Sequence, residues 1–318
     1  MYILRMFIIS FSVFCIIYTI AINIFYNVQM GISFLDILGY MKKMKASDYK
    51  RYSESKNMIP ISIIVPAYNE EKTIVDNIKS LLSLNYLEYE IIIVNDGSKD
   101  DTKEKIIKEF NLKKVNQPVK NSLKTKEVLG IYRNTNYENL ILVDKLNGGK
   151  ADALNAGINI SKYPIFASID ADSILEKDSL IKLTMSFVEK PETIAVGGIV
   201  RIANGSIIKN GELIRMNIPK SKIAIFQIVE YLRAFLTGRA SLSKLHSILI
   251  ISGAFGAFNK KAVINCGGYK VNIIGEDMEI IVRLHKTMKD QKKKYNIEFL
   301  AEPICWTQAP ESFKDLRT

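Results

Sequence analysis

The stretch EIIIVNDGSKDDT, residues 90–102, and its later counterpart PIFASIDADS, residues 164–173, each join a continuous apolar run to an acidic turn. Short apolar runs with no alternation read as strands buried on both faces, the kind found in parallel sheets. In open α/β sheets, ligands bind outside the carboxyl ends of the strands. Asp96, Asp170 and Asp172 stand at such ends, and Gly275-Glu276-Asp277 opens a later helix. These acids are therefore predicted to share one crevice. A carboxylate pair there suits a divalent metal carrying a phosphorylated ligand. A further acid from a later element suits a general base.

Working outward, the alternation of strand and helix signals extends in both directions. Ile61–Val65 reads as a strand ended by Pro66, which cannot donate to a ladder. Glu70–Leu84 carries Ile74, Ile78, Leu81 and Leu82 on one helical face. After the strand at 89–95, a helix opens near Asp100-Asp101-Thr102, where acids suit the positive helix end. Short strands follow near 127–132 and at Leu140–Val143. Next come a helix at Lys150–Ile160, the strand at 164–169 and a helix at about 176–189. This βαβαβ order predicts a doubly wound α/β domain with a mostly parallel sheet. Beyond 190 the spacing predicts a strand at Thr193–Ile202 broken at Gly197-Gly198, a long helix at 219–237 and a helix at 277–288. Ile248–Phe258 is an apolar run.

From Met6 to Val28 no residue is charged. About 20 such residues span a bilayer as a helix, so residues 1–30 are read as one transmembrane helix. The run is too long for a signal peptide and lacks a small-residue cleavage site. Only Arg5 precedes it, whereas Lys42, Lys43, Lys45, Lys50, Arg51 and Lys56 follow. The positive-inside rule then puts the remainder in the cytoplasm, attached to the cell membrane by a single pass. Residues 31–58 are expected to be a basic juxtamembrane linker, either simple or lying along the lipid surface. The globular domain is expected at 59–318.

Composition narrows the function. Of 318 residues, 48% are hydrophobic, so a substantial core is available. The net charge is +11, which permits nucleic acid, anionic membrane or a phosphorylated substrate as partner. No helix interleaves basic and aromatic residues as a reader of bases needs, so a lysine-rich surface is favoured and no nucleic-acid partner is expected. Cys15, Cys266 and Cys305 form no close pairing, which fits a reducing compartment. His246 and His285 are too far apart for a zinc motif.

Each motif also has an ordinary structural reading. Pro66-Ala67-Tyr68-Asn69-Glu70 can surround a base or ribose, or be a turn in which Asn69 caps the next helix. Asp96 can accept from a pyrimidine N–H or a ribose hydroxyl, or simply shape an Asx turn. Asn147-Gly148-Gly149-Lys150 precedes a helix and suits a phosphate. It is no Walker motif, because Ala151 follows the lysine. Asp170-Ala171-Asp172 suits a metal–diphosphate, while Ser173 and Glu176 can form a capping box. Asp277 can deprotonate a hydroxyl or merely complement a helix end. No GxGxxG follows the first strand and no GxSxG occurs, which disfavours dinucleotide oxidoreductases and common α/β-hydrolases.

Taken in order, Pro66–Glu70, Asn95–Thr102, Gly148–Asn155, Asp170–Ser173, Ser252–Phe258 and Gly275–Asp277 resemble family 2 glycosyltransferases. The likeness covers roughly residues 60–310 and is greatest to membrane-bound processive synthases of the poly-N-acetylglucosamine, cellulose and hyaluronan type. The resemblance implies a GT-A fold and inverting transfer from a UDP-sugar, with N-acetylglucosamine as the expected sugar, to a glycan acceptor. It implies Mg2+ or Mn2+ on Asp172. Asp96, Lys150 and Asp170 are implied on the donor, with Pro66, Tyr68 and Glu70 beside them. Asp277 is implied as the base, and Ser252, Gly253 and Glu276 as the acceptor side. Gln227, Glu230, Tyr231 and Arg233 resemble a segment near the acceptor and the membrane face.

One departure stands out. Processive members carry Gln-x-x-Arg-Trp shortly after the segment resembling Ala301–Leu316, and then further membrane helices. This chain reaches Thr318 without it, and Cys305, not arginine, precedes its one tryptophan, Trp306. The expectation is a truncated or divergent synthase, with a membrane partner subunit where a channel is needed. A non-catalytic UDP-sugar-binding remnant is the alternative. A nucleotidyltransferase is disfavoured, because Ala67-Tyr68-Asn69 supplies no glycine-rich loop.

Overall fold

The computed structural model describes residues 2–46, 58–209 and 212–314. Its first element, α1 (Tyr2–Ala46), is one unbroken helix. The stretch Tyr2–Gly39 is long and apolar enough to cross a membrane, and its side chains are exposed along the apolar part. The helix therefore does not give way to a linker at residue 31. Gly31 and Gly39 are isolated and no proline intervenes, so nothing stops the helical ladder. Its second half is held by the rest of the chain: Ser33 is buried and its hydroxyl donates to the carbonyl of Leu236. Residues 47–57, with Lys50, Arg51 and Lys56, lie outside the described residues.

The expected βαβ succession then follows. It runs β1 (Ile61–Ala67), α2 (Ile74–Leu82), β2 (Tyr89–Asp96), α3 (Thr102–Glu109), β3 (Lys113–Val115), β4 (Val128–Asn134), β5 (Tyr137–Lys145), α4 (Lys150–Ile160) and β6 (Ile165–Ile169). The second half contains β7 (Ile174–Leu175), α5 (Ser179–Glu189), β8 (Thr193–Ile202) and the hairpin β9 (Ile207–Lys209) with β10 (Glu212–Arg215). It continues with α6 (Lys222–Leu232), a π-helical turn Arg233–Arg239, α7 (Ala240–Lys244), β11 (Phe255–Asn259), α8 (Lys260–Asn265), α9 (Glu276–Asp290) and β12 (Asn296–Thr307).

Ten strands form one mixed sheet in the order β3-β4-β5-β2-β1-β6-β11-β8-β12-β7. Its centre, β5-β2-β1-β6, is parallel and almost wholly buried, as the continuous apolar runs require. The chain moves from β1 to β2 and β5 on one side, then returns to place β6 on the other. The switch point between β1 and β6 brings the carboxyl ends of these strands to one edge. β11 runs antiparallel to β6 with Phe255 opposite Ile169. Its entry turn, Ser252–Ala254, therefore lies at that same edge, where the Asp170 N–H donates to the Ala254 carbonyl at 3.4 Å.

Four local expectations are corrected. β8 is continuous through Gly197-Gly198; a Cβ at Gly197 would stand 3.1 Å from Ile251, so this glycine makes room for packing and does not break the strand. Ser173 and Glu176 form no capping box, because β7 intervenes and α5 starts at Ser179; Glu176 instead pairs with Lys182 and accepts from the Trp306 indole. Asn69 does not cap α2: its side chain accepts from Lys99 N–H at 2.8 Å, and the helix has Thr73, four residues later, at its N-cap. The helix predicted to end at 237 passes through the π turn and on to Lys244.

Candidate active site

The turn after β1 is stapled to the turn after β2. Asn69 N–H donates to Ser98 Oγ at 3.1 Å, Glu70 N–H to Thr102 Oγ1 at 2.8 Å and Glu71 N–H to Asp100 at 3.1 Å. This leaves Tyr68 half-exposed over a cleft of about 600 Å³. Pro66, Tyr68, Glu70, Asp96, Lys150, Asp170 and Asp172 all line it. The structure thus gathers into one cleft every residue that the sequence pointed to for the donor and the metal.

Asp96 sits at the cleft floor and is nearly closed off by its neighbours. Lys145 Nζ donates to it at 2.5 Å, Gly148 N–H at 3.0 Å and Gly149 N–H at 2.7 Å. Lys145 is fully buried and also pairs with Asp152 at 2.6 Å. Asp152 in turn accepts from Lys126 N–H. One buried cation therefore holds two carboxylates, and one of them, Asp96, holds the Gly148-Gly149 turn from which α4 starts. The sequence reading did not single out Lys145 or Asp152. The available signal was a lysine closing an apolar strand, since a lysine is almost never fully buried unless paired.

Across the cleft, Lys150 Nζ is 2.6 Å from Asp170 and 3.9 Å from Glu276. Burial alone would lower the Lys150 pKa, but Asp170, Asp277 and Glu276 outweigh it and leave it raised. Asp170 is raised chiefly by burial, against the pull of Lys150 and with a push from Asp172. Burial also raises Glu70, and the charges of Asp172, Asp100 and Asp170 add to it.

Asp277 lies in the first turn of α9, whose N-cap, Gly275, is left-handed at φ 83°. Burial pushes its carboxyl up to about 6; Lys150 pulls it down, while Glu276 and Asp170 push further. Gly253 approaches it so closely that a methyl group there would collide with Asp277 Oδ2. The glycine is needed for that contact, and its N–H hydrogen-bonds the carboxylate. Ser252, Gly253, Glu276 and Asp277 therefore form a second wall, next to Lys150 and Asp170.

The four residues singled out in 219–237 diverge. Tyr231 faces inward, close enough to feel the charges of Asp172 and Asp170. Gln227 donates to the Pro310 carbonyl at 2.9 Å, Arg233 lies 5.9 Å over the Tyr26 ring of α1, and Glu230 is exposed.

No group of three or more His, Cys, Asp or Glu side chains forms a metal cage among the described residues. A metal carried on a diphosphate needs only one or two carboxylates. Asp172 is exposed beside Asp170 and Glu70, and the like charges raise both neighbours. That surplus of negative charge at the cleft mouth fits a divalent cation.

Residues 62–267 match the family described as Glycosyl transferase family 2. Over 297 residues the chain is 30% identical to a poly-beta-1,6-N-acetyl-D-glucosamine synthase of Staphylococcus epidermidis, covering 92% of this chain and 61% of that protein. A synthase of the same name from Staphylococcus aureus (strain COL) is 30% identical over 257 residues, covering 80% and 52%. The chain therefore spans between about half and two thirds of the length of these relatives. Among solved structures, it is similar to the mannosyltransferase PcManGT from Pyrobaculum calidifontis in complex with GDP-Man and Mn2+, with a TM-score of 0.57 and 16% identity over 90% of this chain and 70% of that one. It is also similar to Staphylococcus aureus TarS 1-349 in complex with UDP-GlcNAc, with a TM-score of 0.51 and 16% identity over 82% and 61%. These likenesses establish the GT-A fold. With its family match running from β1 past α8, the chain belongs to glycosyl transferase family 2.

Proposed function

We propose that the chain transfers N-acetylglucosamine from UDP-N-acetylglucosamine to a hydroxyl of a glycan acceptor, with inversion at the anomeric carbon. The observation that carries this reading is the pairing of two walls: a cleft lined by Asp96, Lys150, Asp170 and Asp172, and beside it the carboxyl of Asp277 against Gly253, which burial pushes up to about 6. The sugar is chosen from the relatives' names.

In this reading Asp96 and the turn it shapes meet the uracil end, with Pro66, Tyr68 and Glu70 beside them. Lys150 lies by the diphosphate and Asp170 by the donor's sugar. Asp172 would hold Mg2+ or Mn2+, which when bound neutralises charge on the leaving diphosphate, worth several kcal/mol. The acceptor oxygen forms a bond to the anomeric carbon while the bond from that carbon to the UDP oxygen breaks. The electron pair leaves with UDP and the hydroxyl proton passes to Asp277. One displacement inverts the centre, so no enzyme nucleophile is required. Ser252, Gly253 and Glu276 shape the acceptor side. We place α1 across the cell membrane with the catalytic domain in the cytoplasm, following the charge asymmetry.

The test is metal-dependent UDP release by membranes carrying the chain, over a panel of UDP-sugars, beside Asp277→Asn. Selective release with UDP-N-acetylglucosamine, lost in the variant, is expected. Binding of Mn–UDP without release from any donor would instead identify a nucleotide-binding remnant.

A further inference from the structure

The transfer described above leaves one cation within the field of Asp277 without a task. Arg239 closes the π-helical turn Arg233–Arg239, and such wide turns recur at functional sites. Its guanidinium lies over the Phe235 ring at 4.1 Å. Its Nη1 is buried and has no hydrogen-bond partner among the described residues. Burial lowers its pKa, while the nearby Tyr231 and Asp277 raise it.

A guanidinium offers five N–H donors in a fixed fork and stays charged. Leaving such a donor buried and unpaired is costly, so a purely structural arginine normally meets a carboxylate or carbonyl. Arg239 forms no ion pair with Asp277 although it lies within its field. The stacked ring occupies one face and leaves the donor edge for something else. That something is not the nucleotide: the donor cleft is lined from the ends of β1, β2 and β6 and the start of α4, and Arg239 is not among its walls. Arg239 stands on the Asp277 and Tyr231 side. A neutral, hydroxyl-rich molecule is the ligand that uses N–H donors there without neutralising the base.

We infer that Arg239 binds the terminal sugar of the acceptor glycan, donating hydrogen bonds to its hydroxyl or acetamido oxygens and holding the nucleophilic hydroxyl at Asp277. This rests on the sugar-transfer reading above. Charge-assisted hydrogen bonds of this kind correspond to roughly a tenfold to hundredfold change in affinity.

The experiment uses the full chain in detergent with Mn–UDP present and titrates a β-1,6-linked N-acetylglucosamine trisaccharide as probe. Arg239→Ala should weaken trisaccharide binding by about tenfold or more, and Arg239→Lys by less, with Mn–UDP affinity unchanged in both. In turnover, the KM for the trisaccharide should rise while that for UDP-N-acetylglucosamine stays constant. Equal weakening of Mn–UDP, unchanged trisaccharide binding, or no binding by the parent chain would each overturn the assignment. If the parent binds the trisaccharide in an Arg239-dependent way yet transfers nothing from UDP-N-acetylglucosamine, the acceptor site stands and the transfer reading fails.

Discussion

At the scale of single residues, Asp277 links burial to pH. A general base must be unprotonated, and burial has moved this carboxyl to about 6. The value of kcat/KM should therefore fall about tenfold per unit as pH drops below that point and level off above it. A pH–rate profile with no break between 5 and 7 would remove Asp277 from the role. The same burial sets a stability signature. Because the folded-state pKa is raised, this group's stability contribution is fully present below the unfolded pKa and is lost as pH rises through about 6. Asp277→Asn should then stabilise the inactive chain at pH 8, on the order of 1–3 kcal/mol, and little at pH 4. Thermal unfolding at the two pH values checks this. Gly253→Ala makes a separate point. The added methyl displaces the carboxylate, so kcat should fall about a hundredfold while Mn–UDP titration shows unchanged affinity.

At the scale of elements, two lysines five residues apart do opposite jobs. Lys145 ends β5 inside the core and neutralises Asp96 and Asp152 together. Lys145→Met leaves two buried carboxylates facing each other and should cost about 3–5 kcal/mol. It should also loosen the Gly148-Gly149 turn and weaken Mn–UDP binding. Lys150 begins α4 with a third of its side chain exposed. Lys150→Met should change stability by less than about 1 kcal/mol yet lower turnover and UDP affinity. Urea unfolding of the two variants, beside Mn–UDP calorimetry, separates a residue that builds the site from one that works in it.

At the scale of the whole molecule, α1 is continuous from an exposed apolar half to a half that packs against the globular domain. Ser33 donates to Leu236, Lys244 pairs with Asp36 at 3.3 Å, and Arg233 lies over the Tyr26 ring at 5.9 Å. The globular domain is thus fixed to the helix and not loosely tethered to it. The chain should remain in the membrane fraction after alkaline carbonate extraction. Protease added to intact cells should spare the catalytic domain, whereas in inverted vesicles it should cleave it. Cleavage from outside would reverse the orientation proposed from Lys42, Lys43 and the lysines beyond them.

The sequence by itself determined the parallel centre of the sheet and the acids at its strand ends. Runs such as Ile91–Val94 and Ile165–Ile169 report their burial through composition alone, and a strand end is local. The helix at Lys150–Ile160 was legible for the same reason: its start, spacing and end lie within eleven residues. What the tertiary structure alone decided involves partners distant in the chain. Gly253 meets Asp277 because β11 runs against β6, and Asp96 is closed off because β5 lies beside β2 and brings Lys145 to it. β12 was not anticipated, because Lys292–Lys294 and Pro303 obscure a strand whose place is set by pairing with β8. Nor does spacing reveal that α1 continues past residue 31 or that Arg239 comes within the field of Asp277, since both depend on a packing surface and a wide helical turn. Local burial is written in composition, whereas the meeting of charges depends on which strands become neighbours.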